Sequence, residues 1–374
     1  MIHQPRVIGT WRTLRLLCTA ALACACARSR PIRIGVALDP TAEEGAILAG
    51  EDLNARGGRR VELVLDGRPY DPGTEATLRR AERLADAGVS VVLSDNSSQQ
   101  SLALGSVLNE RGIVQLNANS TSPRIHDLGP WSFALIPDDI QNGRFLARRM
   151  HAEVPGSRVA ILYLNSPYGE GLRRGVAEAL HALRDPVVWE LPFVDTTAIP
   201  DLLSLARRGG ASVIVLATYW EGLQAAARAL EREPPAARPR IYAGDAAVPV
   251  SPRPGRDGVR VVAFWLADQP DSASRRFAAR FRARFNRPVR PVDAMNYDGV
   301  CLAAAAVAAG NGTSDAVRSY LEALGAGRPP FIGLSGPISF ADRRRVGAHR
   351  YIAEYRSGAL RVVPASSRPA EGDR

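Results

Sequence analysis

From Ile32 to Leu266 the chain alternates short apolar runs with amphipathic stretches, and this alternation restricts the fold more than any other feature. Runs such as VSVVLS (89–94), GIVQLN (112–117), RVAILYLN (158–165) and ASVIVLAT (211–218) cluster Val, Ile and Leu instead of placing them at every second position. Strands of that kind must be covered on both faces, as in a parallel sheet. IRIGVAL, VELVLD, VVWELPF, RIYAGD and VRVVAFWL read the same way. Between them GAILAGEDLNARGG, EATLRRAERLADAG, IQNGRFLARRMHAEV and GEGLRRGVAEALHAL carry apolar residues at helical spacing, and some close on Gly. The pattern predicts an α/β fold of doubly wound parallel sheets, and 374 residues suffice for two such domains.

In doubly wound sheets ligands sit outside the carboxyl ends of the strands. Several of the predicted strands here leave into polar or aromatic residues. VSVVLS is followed by Ser97 and Ser98, and GIVQLN runs into Asn117, Asn119, Ser120, Thr121 and Ser122. Alone, such residues could be helix caps and turn formers. In the second half the exits supply Tyr168, then Thr218, Tyr219 and Trp220, then Asp245. Hydroxyls and free helix N–H groups can hold a carboxylate, an acid can hold an ammonium, and rings can exclude water. That set suits a zwitterion.

The formal charge is +10, but the chain contains no Lys and its Arg residues are spread over helix-like segments such as RRFAARFRARF, so a nucleic-acid surface is not expected. At the N-terminus Arg6, Arg12 and Arg15 precede LLCTAALACACA, a run too short to span a bilayer, and residues 1–27 read as a secretion signal. ALAC and ACAC resemble a lipobox, which makes Cys24 or Cys26 a lipidation candidate; ordinary cleavage after Ala25 or Ala27 is the alternative. Outside the signal only Cys301 remains, within GVCLAAAAVAAG, and it reads as a small buried hydrophobe. No phosphate loop, HExxH or Cys/His metal spacing occurs, so neither enzyme chemistry, a cofactor nor a metal is expected. His126 reads as a turn or surface residue, and Asp138 and Asp139 as helix-capping residues.

The segments LAGEDLNARGG, VLDGRPYDPGTEATLRRAERLADAGVSVVLSDNSS, NANSTSPRI, FALIPDDIQNG, YLNSPYGEGLRRG, NYDGVCLAAAAV and FIGLSGPISF together resemble exported solute-binding proteins of the leucine/isoleucine/valine type. The resemblance implies two α/β domains joined by three crossovers with the ligand between them. It places domain one at 30–138 plus 268–330 and domain two at 139–267 plus 331–364, with 365–374 a disordered tail. It implies that Ser98, Thr121 and the Asn119 backbone meet a ligand carboxylate, with Ser97 a further ligand-binding candidate, that Tyr168 reaches across, and that Asp245 meets the ammonium. The family's tyrosine pair reads Thr218-Tyr219 here. Its usual partners are the permease subunits of an ABC importer.

Three departures accompany the resemblance. Only DPTAEE separates IGVAL from GAILAG, several residues fewer than the loop that normally covers the ligand side chain. The family's Arg in the FRT position is replaced within FALIPDD, and a Cys pair found in some members is absent. The alternative function is a lipid-anchored interaction or sensor protein with the same fold and an altered cleft.

Overall fold

The computed structural model describes residues 30–94, 97–231, 233–248, 257–269, 271–357 and 359–364. The signal segment with Cys24 and Cys26, and the tail 365–374, lie outside the described residues.

The first half of the chain builds β1 (Ile32–Ala37), β2 (Val61–Leu65), β3 (Val91–Ser94), β4 (Val114–Asn117) and β5 (Ser132–Ala134), paired in parallel. Helices α1 (Glu43–Ala55), α2 (Thr74–Asp86) and α3 (Ser98–Glu110) connect β1 to β4. Every residue of β3 and β4 is buried, which is why their sequence shows no alternation. The chain then crosses to a second unit: α4 (Asp139–Glu153), β6 (Val159–Leu164), α5 (Pro167–Leu183), β7 (Val187–Phe193), α6 (Ile199–Arg208), β8 (Val213–Ala217), α7 (Trp220–Leu230), β9 (Arg240–Ala243) and β10 (Arg260–Ala263). It returns through α8 (Ser272–Phe285), which packs on α1, and through α9 (Pro291–Ala309) and α10 (Ser314–Ala323), which pack on the first sheet. Salt bridges Arg284–Glu51 and Arg280–Asp52 tie α8 to α1.

The C-terminal strands divide between the two sheets. β11 (Phe331–Gly333), β12 (Gly336–Ala341) and β13 (Arg344–Val346) form antiparallel turns, and β13 lies beside β5. β14 (Tyr351–Arg356) and β15 (Ala359–Val362) add to β10. The first sheet therefore runs β11-β12-β13-β5-β4-β3-β1-β2 and the second β15-β14-β10-β9-β8-β6-β7. Residues 331–346, expected in domain two, extend the first sheet instead. The physical reason is the buried Arg345 guanidinium, which donates to the carbonyls of Leu135 (3.1 Å), Ser335 (2.8 Å) and Pro337 (2.9 Å) and so fastens this hairpin beside the end of β5. Three connections, through 135–138, 264–269 and 347–350, pass between the units. The molecule is thus two doubly wound parallel-sheet units joined by three crossovers.

Candidate functional site

The carboxyl ends of both parallel sheets face one cavity of about 690 Å³ between the units. Its wall from the first unit starts at the N-terminus of α3. Ser97 caps that helix in a capping box: its hydroxyl accepts from Gln100 N, and Gln100 Oε1 accepts from Ser97 N at 3.1 Å. Ser98, the first helical residue, is buried and lines the cavity. Below the helix a buried polar network holds it to the sheet, with Ser94 Oγ donating to Asn117 Oδ1 at 2.8 Å and Gln115 Nε2 donating to the Ser101 carbonyl at 2.8 Å.

The polar tract after β4 therefore splits into three jobs. Asn117 faces the interior of the sheet and Ser122 caps the short turn Pro123–Leu128, so neither lines the cleft. Asn119, Ser120 and Thr121 do line it. The Asn119 amide donates to Asn296 Oδ1 at 3.1 Å, and the Ser120 hydroxyl, 4% exposed as a residue, has no partner among the described groups. Ser98, Ser120 and Thr121 together bring hydroxyls to this wall at the N-terminus of α3, chemistry that suits a carboxylate.

The second unit supplies Tyr168, Tyr219 and Asp245. Tyr168 and Tyr219 stack at 5.1 Å, and the Tyr168 hydroxyl accepts from Ala246 N at 3.3 Å. The Tyr219 hydroxyl reaches the Ser98 backbone N–H and the Ser97 side chain, bridging the two units. Thr218 is the one predicted site residue that the structure does not bring to the cavity. Its side chain turns under the first turn of α7, where a Cβ at Gly222 would stand 2.4 Å from the Thr218 methyl.

Sequence reasoning missed Asp139. Of the pair read as caps, only Asp138 caps α4, accepting from Gln141 N at 2.9 Å. Asp139 is fully buried behind Thr121, Tyr219 and Asp245, and neither of its carboxylate oxygens has a partner in hydrogen-bond geometry, although the Thr121 hydroxyl approaches it. It reaches this place because α4 and α5 pack on glycines: a Cβ at Gly175 would stand 2.4 Å from the Ile140 carbonyl oxygen, and one at Gly171 would stand 2.8 Å from Asp139 Cβ. The signal available in sequence is two successive acids opposite a helix start, YGEGLRRG, that keeps one face bare.

Burial, then the neighbouring Asp245, holds the Asp139 carboxyl well above the ordinary carboxylate range. Asp245 is half-buried as a residue, but its Oδ1 is sealed from solvent and lacks a partner. Loss of hydration pushes its carboxyl up to about 7, against two backbone N–H groups that lower it. Tyr168 and Tyr219 are raised by burial and by these same carboxylates. Both acids are thus held toward their uncharged forms, Asp245 at the cavity wall and Asp139 behind it. Among the described residues no cluster of His, Cys, Asp and Glu has metal-ligating geometry.

His126, expected at a turn or on the surface, sits in the turn after β4 but is buried, with Nδ1 unpartnered; burial and Arg344 push it down to about 4. Cys301 packs against the core and burial pushes its thiol up to about 12, as an inert hydrophobe requires.

A family model described as "Periplasmic binding protein" matches residues 35–359. A substrate-binding protein of an ABC transporter from Desulfitobacterium hafniense, solved in complex with Leu, superposes with a TM-score of 0.75 at 26% identity, over 89% of this chain and all of that one. A Leu/Ile/Val-binding protein homologue of Brucella abortus is 23% identical over 192 residues, and an amino acid binding protein of Pseudomonas aeruginosa is 26% identical over 195. The chain spans about half the length of the curated relatives it matches. A solute-binding protein of R. palustris, solved in complex with benzoate, shares the fold with a TM-score of 0.75 at 16% identity, over 89% of this chain and 95% of that one. These are binding proteins, not enzymes, and with most of its length matched by the family model the chain belongs to the periplasmic binding protein family.

Proposed function

We propose that this protein is an extracytoplasmic solute receptor that captures an amino acid, branched-chain or other, between its two units by hinge closure and hands it to an ABC importer. The observation that carries this reading is the pairing of opposite chemistries across one cavity. Ser98, Ser120 and Thr121 offer hydroxyls on the first unit, while the second offers Asp245, whose Oδ1 has no partner, with fully buried Asp139 behind it. Neither half holds both ends of a zwitterion. A ligand that touches both units therefore favours the closed arrangement by its differential affinity, which is the physical basis of hinge capture. The Leu-bound and Leu/Ile/Val-named relatives support an amino acid as the cargo.

The acids also argue against a simple carboxylate such as the benzoate of the R. palustris protein. An anion without an ammonium would face the Asp245 carboxyl, with Asp139 behind it, and no unpaired cation among the described lining residues. The experiment is calorimetric titration of the signal-free protein, unfolded and refolded to remove carried ligand, against the common L-amino acids and simple aromatic acids. Saturable binding near micromolar, about −8 kcal/mol, is expected for at least one amino acid. Silence across the amino acids removes the transport reading and leaves the lipid-anchored interaction or sensor protein named from the sequence.

A further inference from the structure

The cavity is larger and more acidic than a branched-chain amino acid requires. About 690 Å³ is a volume typical of sites for ligands much larger than leucine. The reason is local: β1 passes to α1 through the short connection 38–42, so no long loop folds over the outer part of the cleft. The walls of that outer part are polar and aromatic. Asp39, Tyr70, Thr74, Gln99, Trp220 and Glu221 line it. A leucine side chain placed there would lie against carboxylates, amides and hydroxyls without satisfying any of them.

The charge of the cleft is opposite to that of the molecule. The chain carries a formal +10, yet the charged residues lining the cavity among the described residues are Asp39, Glu221, Asp245 and Arg290. Arg290 is held in a balanced ion cluster: its guanidinium donates to both carboxylate oxygens of Asp293, at 2.9 and 3.1 Å, and to the Thr41 carbonyl, while Arg287 shares Asp293 and pairs with Glu44. Fully buried Asp139 adds a further acid directly behind the wall. An α-ammonium met at Asp245 leaves Asp39 and Glu221 without a cation from the ligand. Trp220 places an indole, the ring that best attracts a cation, on the same wall as Glu221.

We propose that the cleft takes an α-amino acid with a long cationic side chain, of the arginine or ornithine class, whose distal cation lies among Trp220, Glu221 and Asp39. The proposal rests on the zwitterion reading of the same site and adds a second positive charge at its outer end. The Asp245 carboxyl, with Asp139 behind it, holds the α-ammonium, and the outer acids hold the side-chain cation.

The test compares L-arginine, L-citrulline, which has nearly the same shape without the charge, and L-leucine, by calorimetric titration of the refolded full mature chain. Arginine is expected to bind on the order of tenfold more tightly than citrulline, with the ratio shrinking as salt is raised. Glu221→Gln is expected to pull the arginine-to-citrulline ratio toward one, and circular dichroism of the variant checks that it is folded. Citrulline or leucine binding as tightly as arginine overturns the proposal while leaving the zwitterion reading intact. Failure of all three to bind overturns the proposal together with its foundation.

Discussion

Asp245 links the stability of the protein to its function, and the link has a definite sign. Loss of hydration raises its carboxyl from an ordinary value of 3.8 to about 7. A folded state that holds a proton more tightly than the unfolded state loses stability as pH rises between those two values. The loss begins near pH 4 and is complete above pH 7. Each pH unit crossed between them costs about 1.4 kcal/mol. Because the residue is half-buried and water can reach part of it, the full penalty is at most about 4 kcal/mol at pH 8 and about 1 to 2 kcal/mol at pH 5. Asp245→Asn removes the titrating group while keeping its shape. The variant, stripped of ligand, is therefore expected to be more stable than the parent at pH 8 by up to about 4 kcal/mol, with most of the gain gone at pH 5. It is also expected to bind ligand poorly, because an amide cannot match an ammonium as a carboxylate does. Urea unfolding at the two pH values reads the first effect through the midpoint at constant slope. A variant that is less stable than the parent at pH 8, or whose stability change is the same at both pH values, would refute the reasoning.

Two further substitutions test separate parts of the site. Thr121→Ala removes a hydroxyl assigned to the ligand carboxylate and should weaken binding by about 2 kcal/mol, roughly thirtyfold; an unchanged Kd in titration takes Thr121 out of the site. Gly175→Ala forces a Cβ to within 2.4 Å of the Ile140 carbonyl oxygen. It should cost about 1–3 kcal/mol in a urea midpoint and weaken binding by displacing Asp139; an unshifted midpoint would show that α4 and α5 can separate freely.

How much of the molecule is legible in its sequence follows the physics of each signal. Strands buried on both faces announce themselves by composition, so β1, β3, β4, β6 and β8 can be read at once. Ser98, Asn119, Thr121, Tyr168, Tyr219 and Asp245 are legible too, because parallel topology sends every strand exit to the same side and all of them line the one cavity. The hairpin 331–346 escapes such reading because its short strands contain Gly, Pro and Arg, and its placement depends on the long-range bond of Arg345 to Leu135. Thr218 and Asp139 show the limit of counting from strand ends. Thr218 sits at such an exit but packs inward on Gly222, whereas Asp139 looks like a cap and is instead a buried acid positioned by glycines on α5. A glycine in the next turn draws Thr218 inward, whereas a contact between α4 and α5 decides Asp139, and counting from strand ends reads neither.

If Asp139 and Asp245 select an ammonium, the amine of the ligand must carry much of its affinity. The most direct measurement takes the tightest-binding L-amino acid and its des-amino carboxylate, identical but for the missing amine, and titrates both into the refolded protein in one buffer. Removing the ammonium is expected to abolish measurable binding, since the bare carboxylate brings nothing to Asp139 and Asp245. A des-amino acid that binds as tightly as the amino acid would contradict this, and would mean that neither carboxyl group meets the ligand.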